Sequence, residues 1–252
     1  MSLFGLVGKS LAHSFSKSYF EEKFKREGLS NFRYENFELS SAHQIHSLVA
    51  ANSDLIGFNV TIPYKEKIIS ALSEVTMEAK EIGAVNTVKL ERASGEVKLI
   101  GHNTDYWGFH QSVKPFLEGK HERCLILGAG GVSKAVVYVL GRLGISTLLV
   151  SRTKINSGIT YQQLNEYVLK YHLMVVNTTP VGMYPNISEC VEFPFEFLTD
   201  QHLVVDLIYN PVETVFLKES KQRGAKTLNG MPMLIHQAER SWSIWNNKIL
   251  RI

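Results

Sequence analysis

Two short polar motifs carry side chains that could bind a small ligand and act on it. They are Asn59-Val60-Thr61-Ile62-Pro63-Tyr64-Lys65, which follows the apolar residues 55–58, and Gly101-His102-Asn103-Thr104-Asp105. Each motif comes after a predicted strand and before a predicted helix, and strand ends are where α/β proteins bind ligands. Asn59, Thr61 and Lys65 can converge on one small polar ligand, whereas a turn with a solvated lysine is the structural alternative.

A glycine-rich segment comes directly after another predicted strand and opens a helix. It reads Gly128-Ala129-Gly130-Gly131-Val132-Ser133-Lys134-Ala135. Glycines at such a place let the backbone approach a pyrophosphate closely, and the helix N-terminus offers N–H groups and a favourable dipole. The last small position of the usual pattern holds Ser133 in place of glycine, and serine is still a compact residue. The segment therefore predicts dinucleotide binding rather than a plain tight turn.

The end of the next predicted strand indicates which dinucleotide binds. NAD sites place an acidic residue there for the ribose 2′-hydroxyl, but this chain has Ser151-Arg152-Thr153-Lys154. An arginine can form a forked pair with a 2′-phosphate, and the hydroxyls and Lys154 add donors. The segment favours NADP over NAD, with an ordinary surface Arg–Lys pair as the alternative.

Short apolar runs that alternate with amphipathic segments must position these motifs. Strands are predicted over residues 3–7, 33–37, 55–61, 84–90, 97–100, 124–127, 147–150, 173–176 and 203–206. Helices are predicted over residues 17–27, 42–51, 131–143, 161–170 and 233–250, and from Pro63 onward. Ser94-Gly95 supplies a turn between two strands. The alternation predicts an α/β protein, and the series that begins near Arg123 predicts a doubly wound parallel sheet.

Composition excludes several other classes of protein. The chain has 252 residues, 44% of them hydrophobic, and a net charge of +3 without a basic stripe, so nucleic-acid binding is not expected. No apolar segment reaches membrane-spanning length and the N-terminus does not resemble a secretory leader, so we expect a cytoplasmic protein. Cys124 and Cys190 form neither a disulfide framework nor a metal-ligand pair, and no metal is expected.

Further short motifs occur in order along the chain. They are Ser14-Phe15-Ser16, Gly83-Ala84-Val85-Asn86-Thr87, Asn177-Thr178-Thr179-Pro180-Val181-Gly182-Met183, Asp206-Leu207-Ile208-Tyr209-Asn210-Pro211, and Gly230 followed by Met233-Leu234 and Gln237-Ala238. Together with the motifs above, they resemble the shikimate dehydrogenase family over nearly the whole chain. That family interconverts 3-dehydroshikimate and shikimate with NADPH.

The resemblance implies a role for each matching residue. Lys65 and Asp105 would form the catalytic pair and contact the substrate. The other substrate-binding residues would be Ser14 and Ser16 at the carboxylate, and Thr61, Asn86, Tyr209 and Gln237 at the carboxylate or hydroxyls. NADP would be bound by Gly128, Ala129, Gly130, Gly131 and Val132 at the pyrophosphate, by Ser151, Arg152, Thr153 and Lys154 at the 2′-phosphate, and by Thr178, Leu207 and Gly230 beside the nicotinamide.

The resemblance also implies the domain organisation and the chemistry. An N-terminal α/β substrate domain would span residues 1–105, with the C-terminal helix of residues 238–252 returning to it. A Rossmann-type NADP-binding domain would span residues 106–237. Hydride transfer to a carbonyl needs a proton donor, so Lys65 would be the acid/base, and Asp105 would orient the hydroxyl or share the proton. The chain would act as a monomer or homodimer on a small-molecule substrate.

Rival interpretations stay open for the chain and for single residues. It could be a quinate/shikimate dehydrogenase with broader substrate or NAD use, or a non-catalytic nucleotide-binding regulator that keeps the fold. Ser16 could instead cap a helix, Asn86 could satisfy backbone groups, and Tyr209 could be a core aromatic. His13 and His102 are interpreted as structural.

Overall fold

The computed structural model describes residues 1–11, 14–93, 95–156 and 158–247. The chain divides into two compact units, Asp105–Gln237 and Met1–Thr104 together with the segment from Ala238 onward. His13, Ser94 of the predicted Ser94-Gly95 turn, and the end of the predicted C-terminal helix beyond residue 247 lie outside the described residues.

The first unit is built on a mixed six-stranded sheet in the order β2-β1-β3-β5-β6-β4. β1 pairs in parallel with β2 and β3, whereas β3–β5 and β5–β6 are antiparallel. The strands are β1 Ser2–Gly8, β2 Phe32–Glu38, β3 Leu55–Val60, β4 Glu74–Val75, β5 Thr87–Ala93 and β6 Glu96–His102. The helices are α1 Phe15–Arg26, α2 Ile45–Ala51 and α3 Met77–Ile82, with 3-10 turns at Ala42–Gln44 and Lys67–Ala71.

Both faces of the first sheet are covered, and the apolar side chains of β1 pack into a different cluster on each side. Leu3 and Val7 join one apolar cluster with Leu55. Phe4 and Leu6 join an aromatic-rich cluster on the other side. Successive side chains of a strand point to opposite faces, so a strand covered on both sides reads as a continuous apolar run.

The predicted helix from Pro63 is wrong. Residues 61–66 form turns, and the 3-10 turn Lys67–Ala71 follows them. The carbonyl of Lys65 accepts a hydrogen bond from the Val85 amide at 2.7 Å, so it is not used for an i to i+4 helical bond. The hydroxyl of Tyr64 donates to the Leu39 carbonyl at 2.6 Å. Contacts with distant segments therefore override the local helix-start signal of the proline.

Helix α8, Met231–Trp245, carries its last turns into the first unit. There Trp242 and Trp245 pack in the aromatic-rich cluster, with Trp245 stacked on Phe4 at a ring-centroid distance of 4.9 Å. The ammonium of Lys23 lies 2.9 Å from the Glu239 carboxylate. The C-terminal segment is thus an integral part of the first core.

The second unit contains a parallel six-stranded sheet in the order β12-β11-β10-β7-β8-β9. Its strands are β7 Arg123–Leu127, β8 Ser146–Ser151, β9 Gly158–Thr160, β10 Met174–Asn177, β11 Leu203–Asp206 and β12 Lys226–Leu228. Its helices are α4 Asp105–Val113, α5 Gly131–Arg142, α6 Glu166–Tyr171, α7 Val215–Gln222 and the start of α8. The order reverses between β7 and β10, which makes that edge a topological switch point.

Helices cover both faces of the second sheet, as the doubly wound prediction requires. Along β7, Cys124 and Ile126 join one apolar cluster, and Leu125 and Leu127 join the other. This alternation explains why the central strands are almost entirely apolar in sequence. Among the described residues, no helix is both long enough and apolar enough to cross a membrane.

Candidate active site

Ser14 and Ser16 lie at the start of α1. Ser14 is the N-cap, and its hydroxyl accepts a hydrogen bond from the Ser16 amide at 3.3 Å. The capping role considered for Ser16 therefore belongs to Ser14. The Ser16 side chain hydrogen-bonds the buried hydroxyl of Tyr34, whose pKa is raised by burial. Both serines are partly exposed, so the helix start holds them beside the end of the first sheet.

Thr61 and Lys65 lie in the turns after β3. The Thr61 amide continues the pairing with β1 by donating to the Val7 carbonyl at 2.9 Å. Lys65 is partly buried, and its carbonyl is held by Val85. The turn thus fixes the backbone at both residues while their side chains emerge at the carboxyl end of β3.

Asn86 is buried just before β5, and its side chain is oriented by a backbone group. Its Oδ1 accepts from the Thr104 amide at 2.6 Å. A backbone N–H only donates, so the atom that faces it must be the amide oxygen, and the Asn86 nitrogen is left as a donor group. Asn86 thus satisfies a backbone group with its oxygen, and its nitrogen is the donor end of the side chain.

Three buried hydroxyls lie beside Asn86; we refer to Thr87, Thr104 and Ser241 as the hydroxyl cluster. Their oxygens are 2.8 Å apart for Thr87–Ser241 and 3.2 Å apart for the two pairs that include Thr104. Asn59 Nδ2 lies 2.9 Å from the Ser241 hydroxyl. The amide of Asn59 is therefore engaged inside the unit, which corrects the expectation that it converges on a ligand.

Asp105 is the first residue of α4 and is buried. The preceding Asn103 donates from Nδ2 to the Ala84 carbonyl at 2.9 Å, which fixes the strand end before it. Farther along α4, a Cβ on Gly108 would lie 2.6 Å from the Met233 carbonyl and 3.1 Å from Gln237. The glycine therefore permits the close approach of α4 to the turn of α8 that carries Gln237.

The glycine loop joins β7 to α5 at the switch point. Gly128 has φ +103°, a conformation that favours glycine, and an added Cβ would lie 2.8 Å from Thr178 Oγ1. Gly130 is the N-cap of α5, and Ser133 is buried and donates to the Gly130 carbonyl at 2.6 Å. The loop with Ala129, Gly131 and Val132 thus presents backbone at a helix N-terminus, which fits a pyrophosphate.

The predicted 2′-phosphate segment, Ser151 to Lys154, starts at the last residue of β8, at the same edge of the sheet as the glycine loop. Ser151 ends the strand, and its hydroxyl donates to the Thr153 carbonyl. The next three side chains are exposed. The Arg152 charge also opposes the rise that burial causes in the pKa of Tyr161. This cationic, exposed turn suits a phosphate ester.

Thr178 and Leu207 follow β10 and β11. Thr178 donates from its hydroxyl to the Leu127 carbonyl at 2.7 Å, and the Leu207 amide donates to the Asn177 carbonyl at 3.0 Å. A Cβ on Gly230 would overlap the Leu207 carbonyl oxygen, so this position admits only glycine without movement. Tyr209 is partly exposed two residues beyond Leu207.

A buried carboxylate, absent from the expected site residues, braces these loops. Asp206 accepts hydrogen bonds from Asn177 Nδ2 at 3.1 Å, from the Ile208 amide at 3.1 Å and from the Thr214 hydroxyl at 2.6 Å. Burial raises the pKa of Asp206 to about 6, although these donors oppose the rise. Its place directly before Leu207 was the available signal in the sequence.

The candidate residues are divided between the two units. Ser14, Ser16, Thr61, Lys65 and Asn86 belong to the first unit, and the NADP-binding candidates with Asp105, Tyr209 and Gln237 belong to the second. His102 is largely buried, with its pKa lowered to about 4 by burial, and within the described ranges its Nε2 has no hydrogen-bond partner. The described residues contain no His, Cys, Asp or Glu group that could hold a metal ion.

Comparisons with known proteins identify the family of this chain. Residues 6–88 match the family model described as shikimate dehydrogenase substrate binding domain. Shikimate dehydrogenase (NADP(+)) of Caldicellulosiruptor saccharolyticus is 38% identical, over 95% of this chain and 90% of its own length.

Solved structures give the same result. Shikimate 5-dehydrogenase from Thermus thermophilus, in complex with NADP(H) and shikimate, is 30% identical with a TM-score of 0.85, covering 100% of this chain and 95% of that one. Quinate dehydrogenase from Corynebacterium glutamicum, in complex with NAD, is 29% identical with a TM-score of 0.85, covering 98% and 94%. The identity and coverage together place this chain in the shikimate dehydrogenase family.

Proposed function

We propose that this chain catalyses the reversible NADPH-dependent reduction of 3-dehydroshikimate to shikimate, a step towards aromatic amino acids. The orientation of the Asn86 side chain is the observation that carries the proposal. Its oxygen is held by the Thr104 amide, so its nitrogen can only donate. A small polyhydroxylated acid needs such oriented neutral donors, and an apolar pocket would not supply them. Family membership supports the same assignment.

We assign Ser14, Ser16, Thr61, Lys65 and Asn86 of the first unit to the substrate, and the glycine loop of the second unit to NADP. The boundaries proposed are residues 1–105 with 238–252, and residues 106–237. Substrate would contact Ser14, Ser16, Thr61, Lys65, Asn86, Asp105, Tyr209 and Gln237. The cofactor would contact the Gly128–Val132 loop, Ser151 to Lys154, Thr178, Leu207 and Gly230. The constrained backbone of Gly128 and the exposed cations after β8 fit that cofactor.

The proposed chemistry assigns separate tasks to the protein and the cofactor. NADPH, when bound, supplies the hydride to the ketone carbon. Lys65 donates a proton to the oxygen as it gains negative charge, and removes that proton in the reverse direction. When shikimate is bound, Asp105 accepts a hydrogen bond from the reacting hydroxyl and so fixes the position of the reacting carbon. The neutral donors of Asn86 and the serines orient the substrate without competing for the proton.

A spectrophotometric assay tests the proposal. Purified protein with shikimate and NADP+ at moderately alkaline pH should produce NADPH, followed by its absorbance in the near ultraviolet. Reaction with dehydroshikimate and NADPH should consume it. A protein that binds NADP+ but yields no shikimate-dependent NADPH would contradict the proposal and favour a nucleotide-binding regulator.

A quinate/shikimate dehydrogenase is the second candidate, because the quinate dehydrogenase structure matches with the same TM-score. The exposed Arg152 and Lys154 argue for NADP and against the NAD of that enzyme. We expect kcat/KM to be higher for shikimate than for quinate and higher for NADP+ than for NAD+. Comparable values for both substrates would establish the second candidate instead.

The setting of the enzyme is part of the same proposal. We assign it to the cytoplasm, acting as a monomer or a homodimer on a small-molecule substrate. Sedimentation with and without NADP+ distinguishes the two states, and a higher oligomer would contradict both.

A further inference from the structure

The hydroxyl cluster links Asn86 to the last helix of the chain. Thr87, Thr104 and Ser241 are each fully buried. Ser241 comes from α8, whereas the other two belong to the strand-end motifs around β5 and β6. A buried hydroxyl is costly unless it is hydrogen-bonded, so three of them in contact indicate a defined network.

The direction of hydrogen bonding in this network is fixed at both ends by backbone groups. At one end, Asn59 Nδ2 lies 3.2 Å from the Asn86 main-chain carbonyl, which only accepts. Asn59 is therefore a donor towards the cluster, and its Oδ1 accepts from the Tyr34 hydroxyl at 2.9 Å. At the other end, Asn86 Oδ1 faces the Thr104 amide and must accept.

Hydrogen bonds therefore enter the cluster from Asn59 and leave it towards Asn86, whereas either partner can be the donor in the bonds between the three hydroxyls. Ser241 accepts from Asn59 and lies 2.8 Å from Thr87. The hydroxyls of Thr87 and Thr104 reach Asn86 Oδ1 at 3.3 and 3.2 Å. Ser241 touches every other member of the cluster as well as Asn59.

We infer that Ser241 is a positioning residue for substrate binding, acting by orienting the Asn86 side chain through Thr87 and Thr104. This inference rests on the proposed function, in which Asn86 donates to shikimate. Every group in the path is neutral, so its effect is geometric and does not involve a transferred proton. Substrate binding should therefore respond to the Ser241 hydroxyl, whereas NADP+ binding should not.

Ser241→Ala tests the inference, with Ser243→Ala as the matched control. Ser243 is also buried on α8, but its hydroxyl donates to the Arg240 carbonyl of the same helix at 2.9 Å. For Ser241→Ala we expect KM for shikimate to rise about three- to tenfold, the size of one lost buried hydrogen bond. We expect KM for NADP+ and the pH profile of kcat to be unchanged, and Ser243→Ala to leave both KM values unchanged.

A second pair of variants approaches Asn86 directly and covers the case in which Ser241→Ala does not fold. Thr104→Val keeps the shape and the backbone amide but removes the hydroxyl, and Thr104→Ser keeps the hydroxyl. We expect Thr104→Val to raise KM for shikimate at unchanged KM for NADP+, and Thr104→Ser to restore most of the wild-type value.

Two results would overturn the inference while the proposed function stands. One is an active wild type whose Ser241→Ala and Thr104→Val variants keep the wild-type KM for shikimate. The other is an equal rise in both KM values, which indicates general loss of structure. A wild type that forms no NADPH from shikimate overturns the proposed function and this inference together.

Discussion

Lys65 emerges from a turn whose backbone is fixed by Val85, so its side chain can be removed without unfolding the turn. We expect Lys65→Ala to lower kcat by about 10²- to 10⁴-fold, the usual contribution of an acid/base group, with a smaller change in KM for shikimate. Asp105→Asn should also lower kcat, because Asp105 is proposed to orient the hydroxyl.

Lys67→Ala is the matched control for Lys65. Lys67 is exposed two residues further along, in the 3-10 turn Lys67–Ala71. The Lys67→Ala variant should keep the wild-type kcat. An unchanged kcat in the Lys65 variant would exclude it as the proton donor and leave it, at most, a charge that binds the substrate.

Arg152 should decide which cofactor is used. Arg152→Asp places a negative charge where the 2′-phosphate would lie, so KM for NADP+ should rise about 10- to 100-fold while KM for NAD+ falls or stays unchanged. Arg223→Asp makes the same charge change at an exposed residue before β12, at the opposite edge of the parallel sheet. Parallel losses in both variants would contradict a specific 2′-phosphate contact.

For some residues, the neighbouring sequence was enough to predict their place in the fold, and for others it was not. The place of the glycine loop between β7 and α5, and of Arg152 after β8, could be predicted because local sequence alone sets a strand end, a turn and a helix start. The contacts of Ser241 could not be predicted, because a serine between Arg240 and Trp242 carries no sign of the distant hydroxyls that it meets. The spacing of four residues from Gln237 indicates only that Ser241 and Gln237 share one helix face.

At the scale of elements, Gly57 makes room for α8. A Cβ there would overlap Trp245 Nε1 and lie 2.7 Å from the Val88 carbonyl. Trp245 Nε1 donates to that same carbonyl at 3.0 Å. We expect Gly57→Ala to lower the free energy of unfolding by about 1–3 kcal/mol through overpacking and loss of this bond, as measured by urea denaturation.

Gly141→Ala is the comparison for Gly57→Ala. Gly141 lies in α5, and an added Cβ there meets nothing within 4 Å. This variant should be more stable by about 0.5–1 kcal/mol because alanine favours the helix. Destabilisation of similar size in both variants would show that the Trp245 contact is not the cause.

Helices and strands could be predicted where nearby residues determine them, and could not where contacts with distant segments do. The apolar runs gave nearly all the long strands, because strands buried on both faces have continuous apolar sequence. The short elements β4, β9 and α3 lie below the length at which a pattern is readable. The turn after Pro63 depends on Val85 and Leu39, which no local reading includes.

For the molecule as a whole, buried histidines should make stability sensitive to acid. Burial lowers the pKa of His102 from 6.5 to about 4. Between those values the unfolded chain binds more protons, so stability falls as the pH is lowered, by about 2 kcal/mol at pH 5 from this residue. Burial also lowers the pKa values of His110, His121, His172 and His202.

Asp206 works in the opposite direction. Its raised pKa, about 6, gives stability that is complete below its unfolded pKa and is lost as the pH rises through 6. Because several histidines oppose this single carboxyl, the urea midpoint should still fall from pH 7.5 to pH 5. His102→Leu should flatten that fall, because it removes the histidine whose pKa is lowered to about 4.

The return of α8 to the first unit also has a consequence for biosynthesis. Translation delivers β1 to β6 first, whereas Trp245 and Ser241, which complete their packing, are synthesised only after the second unit. The second unit has its whole sheet once β12 has emerged, and domains fold as their sequence becomes available. The first unit, although its strands are synthesised first, therefore completes its packing only after α8 has been synthesised.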